Sequence, residues 1–102
     1  MSDSAPEHLN NRHRDTLLQI FQHPTSHNIE WHHVLSLLKA VGSVEEQRDG
    51  KYVVTVGTET EVLSPPRDKD IDVQLVIDLR RMLTSAGYRA VVNELEAKGD
   101  EI

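Results

Sequence analysis

The stretch Ser43–Ser64, SVEEQRDGKYVVTVGTETEVLS, decides the fold. Two residue pairs inside it, Asp49–Gly50 and Gly57–Thr58, are signals for two-residue hairpin turns. They separate three short runs rich in β-forming residues. In the middle run positions 52, 54 and 56 share one face of a strand, and positions 51, 53 and 55 share the other. The stretch therefore predicts an antiparallel meander of three strands, roughly residues 43 to 64.

A helix is predicted immediately before the meander, from about Ile29 to Val41. Its apolar residues recur at the spacing of one helix face and are Trp31, Val34, Leu35, Leu38 and Val41. Gly42 is well placed to end this helix. Asn28 is a favoured N-cap residue, and Glu30 in the first turn suits the helix dipole. The segment Pro24–Ser26 then forms the turn that precedes the helix.

Three further helical segments are predicted outside this centre. The run RDTLLQIFQH, Arg14–His23, indicates a short helix that ends before Pro24. After the linker PPRDKDID, Asp70 or Asp72 caps a helix from about residue 73 to 86. Gly87 ends that helix, and a last helical segment covers about residues 88 to 98. The buried residues of the 73–86 helix are predicted to be Leu75, Val76, Leu79, Leu83 and Ala86.

The order of these elements predicts a two-layer α+β fold with an α-β-β-β-α centre, an extra N-terminal helix and a short C-terminal helix. The two amphipathic helices that flank the meander are expected to cover its apolar face. A chain of 102 residues favours one domain. We expect this domain to span residues 13–98, with a disordered tail over 1–12 and a C-terminal tail over 99–102.

The composition restricts the function. A formal charge of −6 counts against indiscriminate binding to nucleic acid, and no DNA specificity is evident. The chain has no cysteine, so disulfide and thiolate chemistry are excluded. No signal peptide and no apolar run of membrane-spanning length occurs. We therefore expect a cytoplasmic protein with no membrane association.

Four of the six histidines lie within His23–His33, HPTSHNIEWHH. Histidine clusters bind zinc, copper or nickel when the rings converge from rigid positions. His23 and His27 bracket a proline in a loop, whereas His32 and His33 are helix neighbours about 100° apart around the axis. The spacing matches none of the specific zinc patterns. The sequence therefore predicts no metal site and no cofactor, and the stretch is interpreted mainly as the start of a helix.

Basic residues concentrate after the meander, at Arg67, Lys69, Arg80, Arg81 and Arg89. Residues 73 to 92 hold three arginines and a single acidic residue, Asp78. This region has the charge to contact phosphate. A solvated helix face is the alternative interpretation, because helices of this length routinely carry two arginines.

From about Thr16 to Gly87 the sequence resembles the HicA-like toxin family. The resemblance lies in IFQHPTSHNIEWHHVLSLLKAVG (Ile20–Gly42), DGKYVVTV (Asp49–Val56) and PPRDKDIDVQLVIDLRRMLTSAG (Pro65–Gly87). It implies a fold like that of double-stranded-RNA-binding domains, cleavage of mRNA, and neutralisation by a HicB-like antitoxin as partner. It also implies that Lys51, Arg67 and Lys69 lie where RNA would be contacted, and the basic region adds Arg80 and Arg81 as predicted RNA-binding residues.

The family's catalytic position differs in this chain. The family has Gly-Ser-His at the start of the second strand, and here the same place is Gly50-Lys51-Tyr52. Tyrosine is a poor replacement for neutral imidazole as a general base near pH 7. The catalytic residue is therefore unknown, and His23 and His27 are the histidines to test. The alternative to an endoribonuclease is a non-catalytic module of the same fold that binds RNA or protein.

Overall fold

A computed structural model describes residues 9–100, with side chains up to residue 97. Its elements in chain order are α1 Asn11–Phe21, α2 Trp31–Val41, β1 Ser43–Glu46, β2 Tyr52–Val56, β3 Glu59–Leu63, α3 Val73–Ser85 and α4 Tyr88–Asp100. The predicted α+β class and the order helix, helix, three strands, helix, helix are confirmed. No helix between residues 9 and 100 is long and apolar enough to cross a membrane.

The three strands form the predicted antiparallel meander in the order β1-β2-β3. The β2–β3 turn has two residues, and Gly57 with φ of 62° takes the first central position, as a type II′ turn requires. The β1–β2 turn is longer than predicted. The Gln47 N–H donates to the Lys51 carbonyl at 2.8 Å, which leaves a three-residue loop that ends with Gly50 at φ of 87°. Glycine in that position is typical of three-residue hairpin loops.

Helix α2 covers the inner face of the sheet, where Val54 and Val56 are fully buried. Its own buried residues are Val34, Leu37 and Leu38. The predicted stripe therefore missed Leu37, while Leu35 is only half-buried. Both flanking helices were expected to cover the sheet, but α2 provides the main cover. Helix α3 makes its main contacts with α1 and α4 instead. The predicted cap of α3 is Asp72, whose Oδ1 accepts the Leu75 N–H at 2.9 Å.

A main-chain clamp joins the start of α2 to the segment before α3. The Trp31 N–H donates to the Lys69 carbonyl at 2.7 Å, and the Ile71 N–H donates to the Ile29 carbonyl at 2.9 Å. Both isoleucines are buried in the core. Because this pairing keeps the chain extended through Glu30, the helix begins at Trp31 rather than at Ile29.

The predicted N-cap of α2 is consequently wrong. Glu30 occupies the cap position without a side-chain cap hydrogen bond. Asn28 instead accepts a hydrogen bond from the Ser26 hydroxyl at 2.6 Å, within the loop.

The ordered domain starts earlier than residue 13. Leu9 is buried, and Asn10 caps α1 by accepting the His13 N–H at 2.8 Å. Residues 9–12, which were predicted to belong to the tail, therefore belong to the domain, because the cap and the buried leucine fix them. At the other end, α4 continues to Asp100 through part of the predicted 99–102 tail. Residues 1–8 and 101–102 of these two tails lie outside the described residues.

Gly42 ends α2 for a reason of space. Its φ of −161° is accessible to any residue, but a Cβ atom added here would lie 2.0 Å from the Thr55 carbonyl oxygen on β2. We expect Gly42→Ala to lower the free energy of unfolding by about 2–3 kcal/mol, because the backbone must move. Gly50→Ala, where the added Cβ meets open space, should cost only about 1 kcal/mol of backbone strain. Equal costs in urea unfolding would contradict this account.

Tyr88 provides a pH-dependent contribution to stability. Burial at the start of α4 raises the pKa of its phenol above the ordinary value of 10.0. The unfolded chain therefore ionises first, so the contribution is complete below pH 10 and is lost as the pH rises through the folded pKa. We expect the free energy of unfolding to fall more between pH 9 and pH 11 for wild type than for Tyr88→Phe. Equal falls in urea titrations of the two proteins would refute this role for Tyr88.

Candidate functional site

The side chains that could bind a ligand or transfer a proton lie close together where the chain enters α2. We call this region the α2 N-terminal surface and define it by Glu30, Trp31, His32 and His33, with Arg12 from α1, Tyr52 from β2 and Lys69 from the segment before α3. The clamp between residues 29–31 and 69–71 fixes the backbone of this surface. The other contributors are joined to it by side-chain contacts.

Two aromatic rings connect the α2 N-terminal surface to the sheet. Trp31 and Tyr52 pack edge to face, with ring centroids 5.6 Å apart and an angle of 69° between the planes. Both are half-buried, so each retains solvent-accessible area. Tyr52 on β2 therefore contacts Trp31, the first residue of α2.

His32 and His33 lie closer together than their helix positions suggest. Their ring centroids are 4.2 Å apart, with planes inclined at 57°. The Nδ1 atom of His32 is 3.4 Å from Oε1 of Glu30. Each of Glu30, His32 and His33 offers one ligand atom within 4.8 Å of the other two. The 100° separation of neighbouring Cβ directions did not keep the rings apart, because side-chain rotation in the first turn brings them together.

Arg12 completes this cluster from the first helix. Its Nη1 lies 2.6 Å from Nε2 of His33. Because the guanidinium is always protonated and can only donate, Nε2 of His33 must accept, and the neutral ring carries its proton on Nδ1. One residue further along α1, Nε2 of His13 hydrogen-bonds the Ser36 hydroxyl at 2.8 Å. These two contacts also hold α1 against α2.

An open pocket of about 620 Å³ adjoins the same cluster. It runs along the exposed side of α1 and reaches His33. Its lining residues are Asn11, Arg12, Asp15, Thr16, Leu18, Gln19 and His33. The pocket is open and lined by both polar and apolar groups, so it extends the α2 N-terminal surface rather than forming an enclosed substrate site.

The two histidines that the sequence marked for testing lie elsewhere. His23 and His27 are exposed in the loop between α1 and α2. Over residues 9–97, neither contributes to the contacts that define the α2 N-terminal surface. The sequence pattern distinguished neither His32 nor His33 as a functional residue, and it gave no signal for Arg12. No local pattern connects Arg12 to His33, which is 21 positions away.

The predicted RNA-contacting residues are divided between two places. Lys69 belongs to the α2 N-terminal surface, with 74% of its side chain exposed and its Nζ 3.9 Å from Oε2 of Glu30. Lys51 is exposed and directly precedes Tyr52, and Arg67 is exposed in the same segment as Lys69. Arg81 lies apart on α3, exposed and 3.3 Å from Asp78.

Arg80 is engaged inside the fold. Its Nε donates to the Ile20 carbonyl at 2.6 Å, and its Nη2 donates to the Gln22 carbonyl at 2.8 Å and to the Thr25 hydroxyl at 3.1 Å. The carbonyls at a helix C-terminus have no partner within the helix, so this guanidinium closes the end of α1. Arg80 therefore has a structural role that the basic stretch of the sequence did not reveal.

Comparisons with models of protein families, with curated proteins and with solved structures find no match to this chain.

The two neighbouring arginines of α3, Arg80 and Arg81, offer a matched test of the role of Arg80 as the cap at the C-terminus of α1. Arg80→Ala leaves the Ile20 and Gln22 carbonyls without their charged donor, so we expect the free energy of unfolding to fall by about 2–3 kcal/mol. Arg81→Ala removes only an exposed ion pair and should change it by less than about 0.5 kcal/mol. Chemical denaturation of the two variants measures both values. A stable Arg80→Ala protein would show that α1 does not need this cap.

Proposed function

We propose that this protein is related to the HicA-like toxins and binds RNA through the α2 N-terminal surface. Two lines support the proposal. The first is the resemblance of residues 16–87 to that family. The second is that Tyr52, at the family's functional position, packs against Trp31 at the centre of this surface. The observation that carries the proposal is the contact between Trp31 and Tyr52. Lys69 lies beside this contact because its carbonyl accepts the Trp31 N–H.

The chemistry of the surface suits single-stranded or looped RNA. Unstacked bases bind to aromatic rings, and each stacked base contributes about 1–3 kcal/mol. Trp31 and Tyr52 supply two half-buried rings. Lys69, Lys51 and Arg67 supply exposed cations on the chain segments that adjoin these rings. Such a local arrangement contacts phosphates even though the whole chain is acidic, because screening limits the effect of distant charges.

An endoribonuclease of a toxin–antitoxin pair also needs a group that removes the 2′-hydroxyl proton. His32 suits this role better than His23 or His27. Its Nδ1 faces the Glu30 carboxylate, which orients the ring and leaves Nε2 directed away from that contact. We therefore add His32 to His23 and His27 as the histidines to test for cleavage.

A non-catalytic module that engages a protein is the second candidate. The observation that favours it is the outer face of the sheet, where Val62 is 57% exposed and pairs with Val53 across the β2–β3 ladder. Helix α2 covers the opposite face, so these valines remain open to a partner such as a HicB-like antitoxin. In this version RNA contributes little and the chain acts through protein contacts.

RNA binding is tested by fluorescence anisotropy with a labelled RNA hairpin at several salt concentrations. We expect Lys69→Ala and Lys51→Ala each to weaken binding and to reduce the salt slope by about 1, as loss of one phosphate contact does. Lys39→Ala is the matched control, because Lys39 is an exposed lysine in the last turn of α2. It should leave both the affinity and the slope unchanged.

The same experiment separates the candidates. An equal effect of Lys39→Ala would reject the α2 N-terminal surface as the RNA site. Absence of RNA binding at low salt, combined with capture of a purified HicB-like protein, would favour the protein-binding module. The cleavage version is followed by RNA integrity during expression of wild type, His32→Ala, His23→Ala and His27→Ala. Intact RNA at high expression of the wild-type chain would exclude it.

A further inference from the structure

We propose that Glu30, His32 and His33 form a binding site for a divalent transition-metal ion of the zinc and nickel type. One oxygen or nitrogen atom from each residue lies within 4.8 Å of the other two. Two imidazoles and one carboxylate are a ligand set that Zn²⁺ uses in proteins, with a fourth position left to water. Imidazole also suits nickel and copper. This proposal does not depend on RNA binding.

The backbone already holds the three residues in place. Glu30 is fixed in an extended conformation by the clamp, because its neighbours Ile29 and Trp31 are hydrogen-bonded to Ile71 and Lys69. His32 and His33 follow directly in the first turn of α2. Ligand atoms around a tetrahedral zinc ion lie about 3.3 Å apart, given metal–ligand distances of about 2.0–2.1 Å. The three ligand atoms, now within 4.8 Å of one another, must therefore approach by at most about 1.5 Å to bind one ion.

Arg12 opposes metal binding and gives the proposal a specific signature. Its guanidinium donates to Nε2 of His33 at 2.6 Å. A metal on Nε2 takes the lone pair that accepts this bond. A metal on Nδ1 instead places the ring proton on Nε2, which then faces a donor. Whichever nitrogen of His33 binds, the bond from Arg12 must break, so Arg12 lowers the affinity of the wild-type chain.

Lys69 acts in the same direction with less effect. Its ammonium lies 3.9 Å from Oε2 of Glu30 and is mostly exposed, so water screens much of its interaction with the carboxylate. The metal must replace this ion pair and the contact between Glu30 and His32. A site opposed by two cations but built from three converging ligands is expected to bind its ion reversibly.

The site is tested by isothermal titration of the untagged full chain with ZnCl₂ and, separately, NiCl₂. We expect saturable uptake of one ion per chain. Glu30→Gln, His32→Ala and His33→Ala should each weaken it by at least about tenfold, the scale of losing one contributor to a metal site. His23→Ala and His27→Ala are matched controls, because both histidines are exposed in the loop between α1 and α2, and they should leave the affinity unchanged. MgCl₂ should not bind, because Mg²⁺ prefers oxygen ligands.

Arg12→Gln supplies the decisive comparison. It removes the charge that competes for His33, so metal affinity should rise above that of wild type, whereas a merely structural contact would leave the affinity unchanged or lower. Circular dichroism confirms that each variant is folded, and Glu30→Gln serves as a conservative ligand variant in case a histidine variant does not fold. Absence of saturable uptake, or equal losses in the His23 or His27 variants, would overturn the site. Unchanged or weaker binding by Arg12→Gln would overturn the competition assigned to Arg12.

Discussion

Two main-chain hydrogen bonds, between Trp31 and Lys69 and between Ile71 and Ile29, organise this small domain. They join positions about forty residues apart, so helix α2 and the meander lie within one chain segment whose two ends are bonded to each other. The pairing buries Ile29 and Ile71 and sets the residue at which α2 begins. It also brings Lys69 beside Glu30. This closure therefore places two chain segments of the α2 N-terminal surface side by side, the start of α2 and the segment before α3.

The parts of the fold that depend on neighbouring residues could be predicted from the sequence. Alternation and turn residues located the strands, and Asp72 was among the two caps foreseen for α3. Gly42 ends α2 as expected, although the reason is the nearby β2 backbone rather than a left-handed conformation. The N-cap at Asn28 failed because a distant segment holds residues 29–30 extended. Local preference gave way to tertiary pairing at that position.

The candidate site was only partly predictable, because its contacts connect residues that are far apart in sequence. Arg80 reaches back 60 positions to Ile20, and Arg12 reaches forward 21 positions to His33. No spacing rule encodes either contact. The proximity of the His32 and His33 rings depends on rotamers rather than on helix positions. The contact between Trp31 and Tyr52 likewise joins residues 21 positions apart.

The arginines show why counting charges along a sequence overstates a basic surface. Arg80 and Arg81 are adjacent and identical in type, yet one is bonded to backbone carbonyls and the other is exposed beside Asp78. Arg89 lies over the ring of Phe21, with its guanidinium carbon 5.4 Å from the ring centroid. Of the three arginines on residues 73 to 92, two therefore interact with the end of α1. The charges of Arg80 and Arg89 are used in contacts that hold the helices together, so they are less available to a ligand.

The clamp has a consequence for how such a protein changes over evolutionary time. Its hydrogen bonds use only main-chain atoms, so the side chains at positions 30 and 69 are not required for closure. Proline is excluded where an N–H must donate, at positions 31 and 71. Elsewhere in the two segments, substitutions can alter the charge and the ligand-forming groups of the surface while the scaffold persists. Descendants of one ancestral chain can thus acquire different chemistries at the same location, and loss of one activity need not entail loss of the domain.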